Sequence, residues 1–230
     1  MKVSAILLAA GIGARLKSKI SKPLVAIAGK PLIAYSLLAF EQKRQISEII
    51  VVVNPRNRAV ILNLIKRYRI TKAKAVVYGG ALRQDSVRNG LAAVNSKSGL
   101  VLIHDSGRPF VSQSILEKLI RKAGNTKAAV LAVPVKATIK SATKGLLVSK
   151  TLKRQLLWEI QTPQVFAYPL IRRAFNKFGR SLVTDDSSLV ERTGAKVHIV
   201  EGSYGNIKVT TPEDILIAEC IAKNRKAYGM

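Results

Sequence analysis

Apolar residues along this chain follow two alternating rhythms. Short runs rich in valine, isoleucine and leucine occupy residues 3–8, 48–53, 74–78, 100–104 and 128–133, the pattern of strands covered on both faces. Between them lie stretches whose apolar positions recur every three or four residues. The first, 31–40, places Leu32, Tyr35, Leu38 and Ala39 on one helical face, with Pro31 as a first helical residue. Residues 58–68, 86–94 and 113–122 repeat the helical spacing. Strand-helix units in this succession predict an α/β fold built on a mostly parallel, twisted sheet with helices on both faces.

The rhythm changes after Pro134. Residues 135–140 and 147–152 alternate polar and apolar side chains around Lys144-Gly145, which predicts a two-stranded hairpin with a glycine turn. A lone hairpin is marginal in water, so this arm, at about residues 136–158, is expected to protrude and pack on another subunit. Beyond Pro163, helices are expected at 168–178 and 185–192, the second capped by Thr184, then a strand at 197–201. Thr211-Pro212-Glu213-Asp214 opens a final helix with a cap, a first-turn proline and carboxylates at the positive end of the dipole. No repeat, low-complexity tract or linker interrupts residues 1–230, which read as a single domain.

Ligands of such sheets bind outside the carboxyl ends of the strands, and the polar clusters fall there. Gly11 to Arg15 follows the first strand, Gly79 to Ser86 the third, and His104-Asp105-Ser106-Gly107-Arg108 the fourth. After the first strand, small residues bare their backbone N–H groups to an anion, and Arg15 and Lys22 add full charges. A Walker loop fails here, and so does the dinucleotide fingerprint, which needs a glycine where Leu16 stands. Lys22 precedes Pro23, which stiffens its segment.

Composition narrows the reading. A 48% hydrophobic fraction suits a packed globular protein, and no apolar run approaches the eighteen or so residues that a membrane helix needs. The N-terminal apolar run is too short for a signal peptide, and a single cysteine, Cys220, suits a reducing cytoplasm. Thirty-nine Lys and Arg against thirteen Asp and Glu give +26, which also suits a nucleic-acid-binding module. Against that alternative, the basic residues are spread along the whole chain, and aromatics amount to 5% with no stacking pattern.

The rim offers cations (Arg15, Lys22, Arg83, Arg108 and Lys208) and no nucleophile-base pair. Of the two histidines, His198 sits in an apolar alternation and His104 is placed to brace its loop; no Cys/His grouping has metal-ligand spacing. Such a rim fits a reaction whose nucleophile is itself a phosphate, already ionised near neutrality and needing no base. The protein must then align two anions and disperse charge on a triphosphate.

The residues resemble the 2-C-methyl-D-erythritol 4-phosphate cytidylyltransferase family along nearly the whole chain. The resemblance rests on Ala9-Ala10-Gly11-x-Gly13-x-Arg15 with Lys22; Gly79-Gly80-x-x-Arg83-x-x-Ser86-Val87; His104-Asp105-x-x-Arg108-Pro109-Phe110; and Pro134-Val135-Lys136-x-Thr138. It continues through Arg154-x-x-Leu157-Trp158, Gln161-Thr162-Pro163-Gln164, Thr184-Asp185 and Asn206-Ile207-Lys208-Val209-Thr210. It implies a Rossmann-like nucleotidyltransferase, homodimeric through the arm, with CTP as co-substrate and Mg2+ held mainly through the CTP phosphates. By position, Ala9, Ala10, Gly11, Gly13, Arg15 and Lys22 would hold the phosphates, Arg15 and Lys22 would stabilise the transition state with Lys208, and Gly80 and Ser86 would face cytosine. Asp105, Arg108, Thr184 and Lys208 would meet the polyol phosphate, Thr138 and Arg154 would reach it from a partner's arm, and Thr162 would lie close by. The chain departs from the family in having Ala137 for an aspartate, Ala81 for an acidic residue, and Ser106-Gly107 for two alanines. Ribitol 5-phosphate cytidylyltransferases look similar throughout, and a sugar-1-phosphate nucleotidyltransferase is a further alternative.

Overall fold

The computed structural model describes residues 2–11, 13, 16, 20–95, 97–179 and 181–224. In chain order the elements are β1 (Val3–Ala9), β2 (Ala26–Ile27), β3 (Lys30–Pro31), α1 (Leu32–Gln42), β4 (Ile46–Val53), α2 (Arg58–Arg67), β5 (Ala73–Tyr78), α3 (Arg83–Ala92) and β6 (Leu100–Asp105). There follow α4 (Gln113–Thr126), β7 (Ala128–Pro134), β8 (Lys140–Ala142), β9 (Val148–Thr151), β10 (Trp158–Ala167), α5 (Tyr168–Phe178), α6 (Ser187–Glu191), β11 (His198–Glu201) and α7 (Pro212–Lys223). Among the described residues the main sheet has seven strands in the order β11-β7-β10-β6-β1-β4-β5, all parallel to their neighbours except β10.

β1 shows why the sheet has two cores. Every residue of it is buried, and its side chains alternate between faces. Val3, Ala5, Leu7 and Ala9 enter one cluster with Ile33, Leu37 and Phe40 of α1, Ile61 of α2 and Leu116 and Leu119 of α4. Ile6 and Leu8 enter the opposite cluster with Val87 of α3, Ile171 and Phe175 of α5 and Leu189 of α6. A third cluster seats α7 through Ala218 and Ile221 on Ile27, Leu32 and Val209, which brings the Lys208 segment beside the sheet edge. β4 and β6 flank β1, so the winding reverses at β1, the position where open α/β sheets bind ligands.

Several expectations need correction. Residues 158–167 carry no strand in the sequence reading, yet β10 is the longest strand, antiparallel between β6 and β7. Pro163 and the polar residues around it hid the strand; the register shifts between Gln161 and Gln164, absorbing the proline. Pro31 is the residue preceding α1, not its first residue, and α3 starts at Arg83 rather than at residue 86. Thr184 does not cap α6, whose N-cap is Asp186; Asp185 instead accepts the Ser188 N–H at 3.2 Å. β8 and β9 form the expected hairpin in a sheet of their own, shorter than foreseen. Its turn runs from Thr143 to Leu147, and Leu146 rather than Gly145 takes the left-handed conformation, at φ +61°.

Candidate active site

The last residues of β1 bring a loop of small side chains to the carboxyl edge of the sheet. Two asparagines following β4 hold it: Asn54 Nδ2 donates to the Ala10 carbonyl at 3.2 Å and Asn57 Nδ2 to the Ala9 carbonyl at 3.1 Å. Asn57 also donates to Ser21 Oγ at 3.3 Å, tying the segment that carries Lys22 to the same edge. Gly13 has φ +74°, and a Cβ there would lie 2.7 Å from Lys22 Cβ, so both backbone and packing demand glycine. Lys22 opens a 3-10 turn over buried Pro23 and runs across Gly107, where an added Cβ would fall 2.6 Å from its Cε and 2.8 Å from its Nζ. The ends of β1 and β6 thereby meet at one ammonium group.

The end of β5 closes from the other side. The Gly79 N–H donates to the Val53 carbonyl at 2.8 Å. The Ser86 hydroxyl accepts from the Gly80 N–H at 3.2 Å and donates to the Leu82 carbonyl at 3.3 Å, while Asp85 accepts the Leu82 N–H at 3.1 Å. These bonds cap α3 locally.

A chain of charges crosses the site. Lys208 Nζ donates to Asp105 Oδ2 at 2.6 Å, Arg83 Nε donates to Asp105 Oδ1 at 3.1 Å, and the two Arg83 Nη groups grip Asp186 at 3.0 and 2.9 Å. Burial acts to raise the Asp105 carboxyl, but the Arg83 and Lys208 charges outweigh it and hold the group well below the usual carboxylate range. Burial likewise opposes the charge of Arg83, and Asp186 and Asp105 hold its guanidinium above the ordinary arginine value. Burial drives the Asp186 carboxyl upward, opposed by Arg83. Arg83 is therefore a fixed cation committed to two carboxylates.

These elements enclose a cleft of about 580 Å³. Among the sequence-predicted residues it brings together Ala10, Gly11, Gly13, Lys22, Gly80, Ser86, Asp105 and Lys208. Arg15 lies outside the described residues. Ala9 is the buried last residue of β1 and stands behind the cleft. Arg108 is also buried and does not line it: its Nη1 donates to the Asn206 carbonyl at 2.8 Å and Nη2 to the Ile160 carbonyl at 3.4 Å, which draw the guanidinium inward. Thr162 is buried, its hydroxyl taken up by His104 and by the Asp105 N–H rather than presented to the cleft. Thr184 is exposed in the loop before α6. Thr138 and Arg154 belong to the exposed arm, where Arg154 Nη1 donates to the Lys136 carbonyl at 2.7 Å. Asn54, Asn57 and Asp186 were not singled out from sequence; the Asn-Pro turn after a strand was a signal for the first, and nothing local marked Asp186.

The family model of 2-C-methyl-D-erythritol 4-phosphate cytidylyltransferase matches residues 3–224. The chain belongs to this family. A cytidylyltransferase of that name from Geobacillus kaustophilus is 46% identical over 229 residues, covering 99% of this chain and 100% of the relative. The one from Halalkalibacterium halodurans is 44% identical over 228 residues, 98% of this chain and 99% of the relative. Among solved structures, the 4-diphosphocytidyl-2C-methyl-D-erythritol synthase of Anaerococcus prevotii superposes with a TM-score of 0.85 at 34% identity, over 96% of each chain. The Thermus thermophilus cytidylyltransferase gives 0.78 at 31% identity, over 97% of this chain and 100% of that one. The fold is the Rossmann-like α/β nucleotidyltransferase fold of this family, and the chain is a nucleotidyltransferase.

The described lining offers little to a divalent cation such as Mg2+. Among the described residues no cluster of three His, Cys, Asp or Glu side chains could hold a metal. Asp105 is the one carboxylate in the described lining, and both its oxygens are occupied by cations.

Proposed function

We propose that this chain transfers the cytidylyl group of CTP to 2-C-methyl-D-erythritol 4-phosphate and releases pyrophosphate, in isoprenoid precursor synthesis. A phosphate oxygen of the acceptor bonds to the α-phosphorus of CTP as the bond to the β-phosphate bridging oxygen breaks. The acceptor's second ionisation lies near pH 6, so no protein base takes part. One observation carries the reading: the ends of β1, β5 and β6 converge on a cleft lined by Lys22, Lys208 and small glycine and alanine residues, with no nucleophile-base pair among the described lining residues.

In this reading Ala10, Gly11 and Gly13 hold the CTP phosphates with buried Ala9 backing their loop, and Arg15, Lys22 and Lys208 spread the charge that builds on them. Gly80 and Ser86 face cytosine. Asp105 accepts from acceptor hydroxyls, Thr184 and Lys208 complete that side with buried Arg108 and Thr162 bracing it from behind, and Thr138 and Arg154 reach it from the partner in a homodimer joined through the arm at 136–158. Mg2+, if brought in on the triphosphate, would supply charge neutralisation for the leaving pyrophosphate. The enzyme works in the cytoplasm; no described helix is long and apolar enough to cross a membrane.

Pyrophosphate release, measured with 2-C-methyl-D-erythritol 4-phosphate and with ribitol 5-phosphate as acceptors, tests the function. Turnover with the first supports it. Turnover with ribitol 5-phosphate alone removes it.

A further inference from the structure

His104 has no charge to lend to the reaction and no opening to the cleft, yet it touches both ends of the loop that carries Asp105. It is fully buried at the end of β6, edge-on to Phe40 with ring centroids 5.4 Å apart. Its Nε2 lies 2.9 Å from the Arg108 carbonyl oxygen, its Nδ1 lies 3.1 Å from Thr162 Oγ1, and the Asp105 N–H donates to that same Oγ1 at 3.1 Å.

These contacts fix the direction of every proton. A carbonyl can only accept, so Nε2 carries the hydrogen. In a neutral ring Nδ1 then accepts, the Thr162 hydroxyl donates to it, and the lone pairs of that hydroxyl receive the Asp105 N–H. An imidazolium would present a second donor to Thr162 Oγ1 and displace the hydroxyl proton. Burial and the Arg108 charge disfavour that form, although Asp105 favours it.

We infer that His104, as a neutral Nε2–H imidazole, is the positioning residue of the acceptor side, locking Asp105 through the Thr162 hydroxyl and closing the loop through the Arg108 carbonyl. The loop is pinned at both ends, with the Arg108 N–H returning to the Asp105 carbonyl at 3.0 Å. Between the ends lies Gly107, the surface under the Lys22 side chain, so one ring sets the Asp105 carboxylate and the floor beneath Lys22 together. Thr162 serves as the relay of this lock rather than as a ligand. The inference rests on the transfer reaction proposed above.

Two measurements on the full chain test it. In the wild-type protein labelled with 15N-histidine, the His104 signals should show a protonated Nε2 and a bare Nδ1 across neutral pH. Thr162→Val, which keeps the shape and removes the hydroxyl, should raise the acceptor KM and lower kcat by about tenfold while the CTP KM stays within about twofold. Thr162→Ser should restore both. His104→Gln, which retains a donor at the ε position alone, should resemble Thr162→Val. A protonated Nδ1 at neutral pH, or Thr162→Val kinetics equal to wild type or equally weakened for both substrates, would overturn the inference. If the wild-type chain fails to use the acceptor at all, the function is overturned and the tautomer alone decides the role of His104.

Discussion

Gly79→Ala tests the convergence of strand ends directly. The new Cβ would lie 2.5 Å from Ala10 Cβ and 2.7 Å from Ser86 Oγ. Non-bonded carbons rest about 3.5–4.0 Å apart, so the two loops must separate by about 1 Å. Neither neighbour can yield alone. Ala10 Cβ moves only with its backbone, whose carbonyl Asn54 holds, and the Ser86 hydroxyl is bound within the turn. Overpacking of this kind costs about 1–3 kcal/mol, which in a chain of this size lowers Tm by several degrees. The effect on chemistry should be larger, because a misplacement of about 1 Å between phosphate and base contacts can cost about a hundredfold in rate. Thermal unfolding and pyrophosphate release at varied CTP would measure both. A variant with wild-type kcat/KM for CTP and an unchanged Tm would refute the claim that these loops form one rigid cradle.

Other consequences are open to measurement. Lys22→Ala should reduce turnover at least a hundredfold with little change in Tm, because a half-buried loop lysine adds little to a core; near-normal turnover contradicts its assignment. Arg154→Ala should raise the acceptor KM and spare CTP, and mixing its chains with Lys22→Ala chains should recover part of the activity if each site takes an arm from its partner; no recovery argues for sites built within one chain. Burial pushes the His104 imidazole down to about 4 from an ordinary 6.5, so the unfolded chain takes up a proton that the folded chain refuses. The resulting stability is complete above pH 6.5 and is lost as pH falls toward 4, roughly 3 kcal/mol in all, with Asp105 adding a loss only below about pH 4. Denaturant unfolding should show this decline in the wild type and a flatter profile in His104→Gln; a wild-type curve level between pH 6.5 and 4.5 would count against the buried neutral ring.

The strands that the sequence revealed most plainly are those whose burial leaves a continuous apolar run, β1, β4, β6 and β7; β5 and β11 were also found near their expected places, and α5 spans the residues expected of it. β10 escaped because it is buried with polar side chains whose partners are distant. Gln164 bonds Asp185 and the Ser187 N–H, and Gln161 bonds the Ser203 carbonyl, contacts that no local pattern encodes. In the cleft, residues on loops leaving a strand end were legible, since topology alone sends them to one rim. Long side chains were not, because their direction depends on what captures them. Arg83 counts among the rim cations in the sequence reading, whereas it bridges Asp105 and Asp186, the latter 103 residues away in sequence. Arg108 turns away from the cleft toward two carbonyls supplied by β10 and by the Asn206 segment.

β10 also joins what the topology could have kept apart. It leaves the arm at Trp158, passes Thr162 behind Asp105 and ends at Ala167 beside the first residue of α5. A single-residue insertion or deletion between 158 and 162 would swing the intervening side chains to the opposite face of the sheet. The tip of the arm is free to diverge in length and composition, whereas its root has to evolve in step with the polyol pocket.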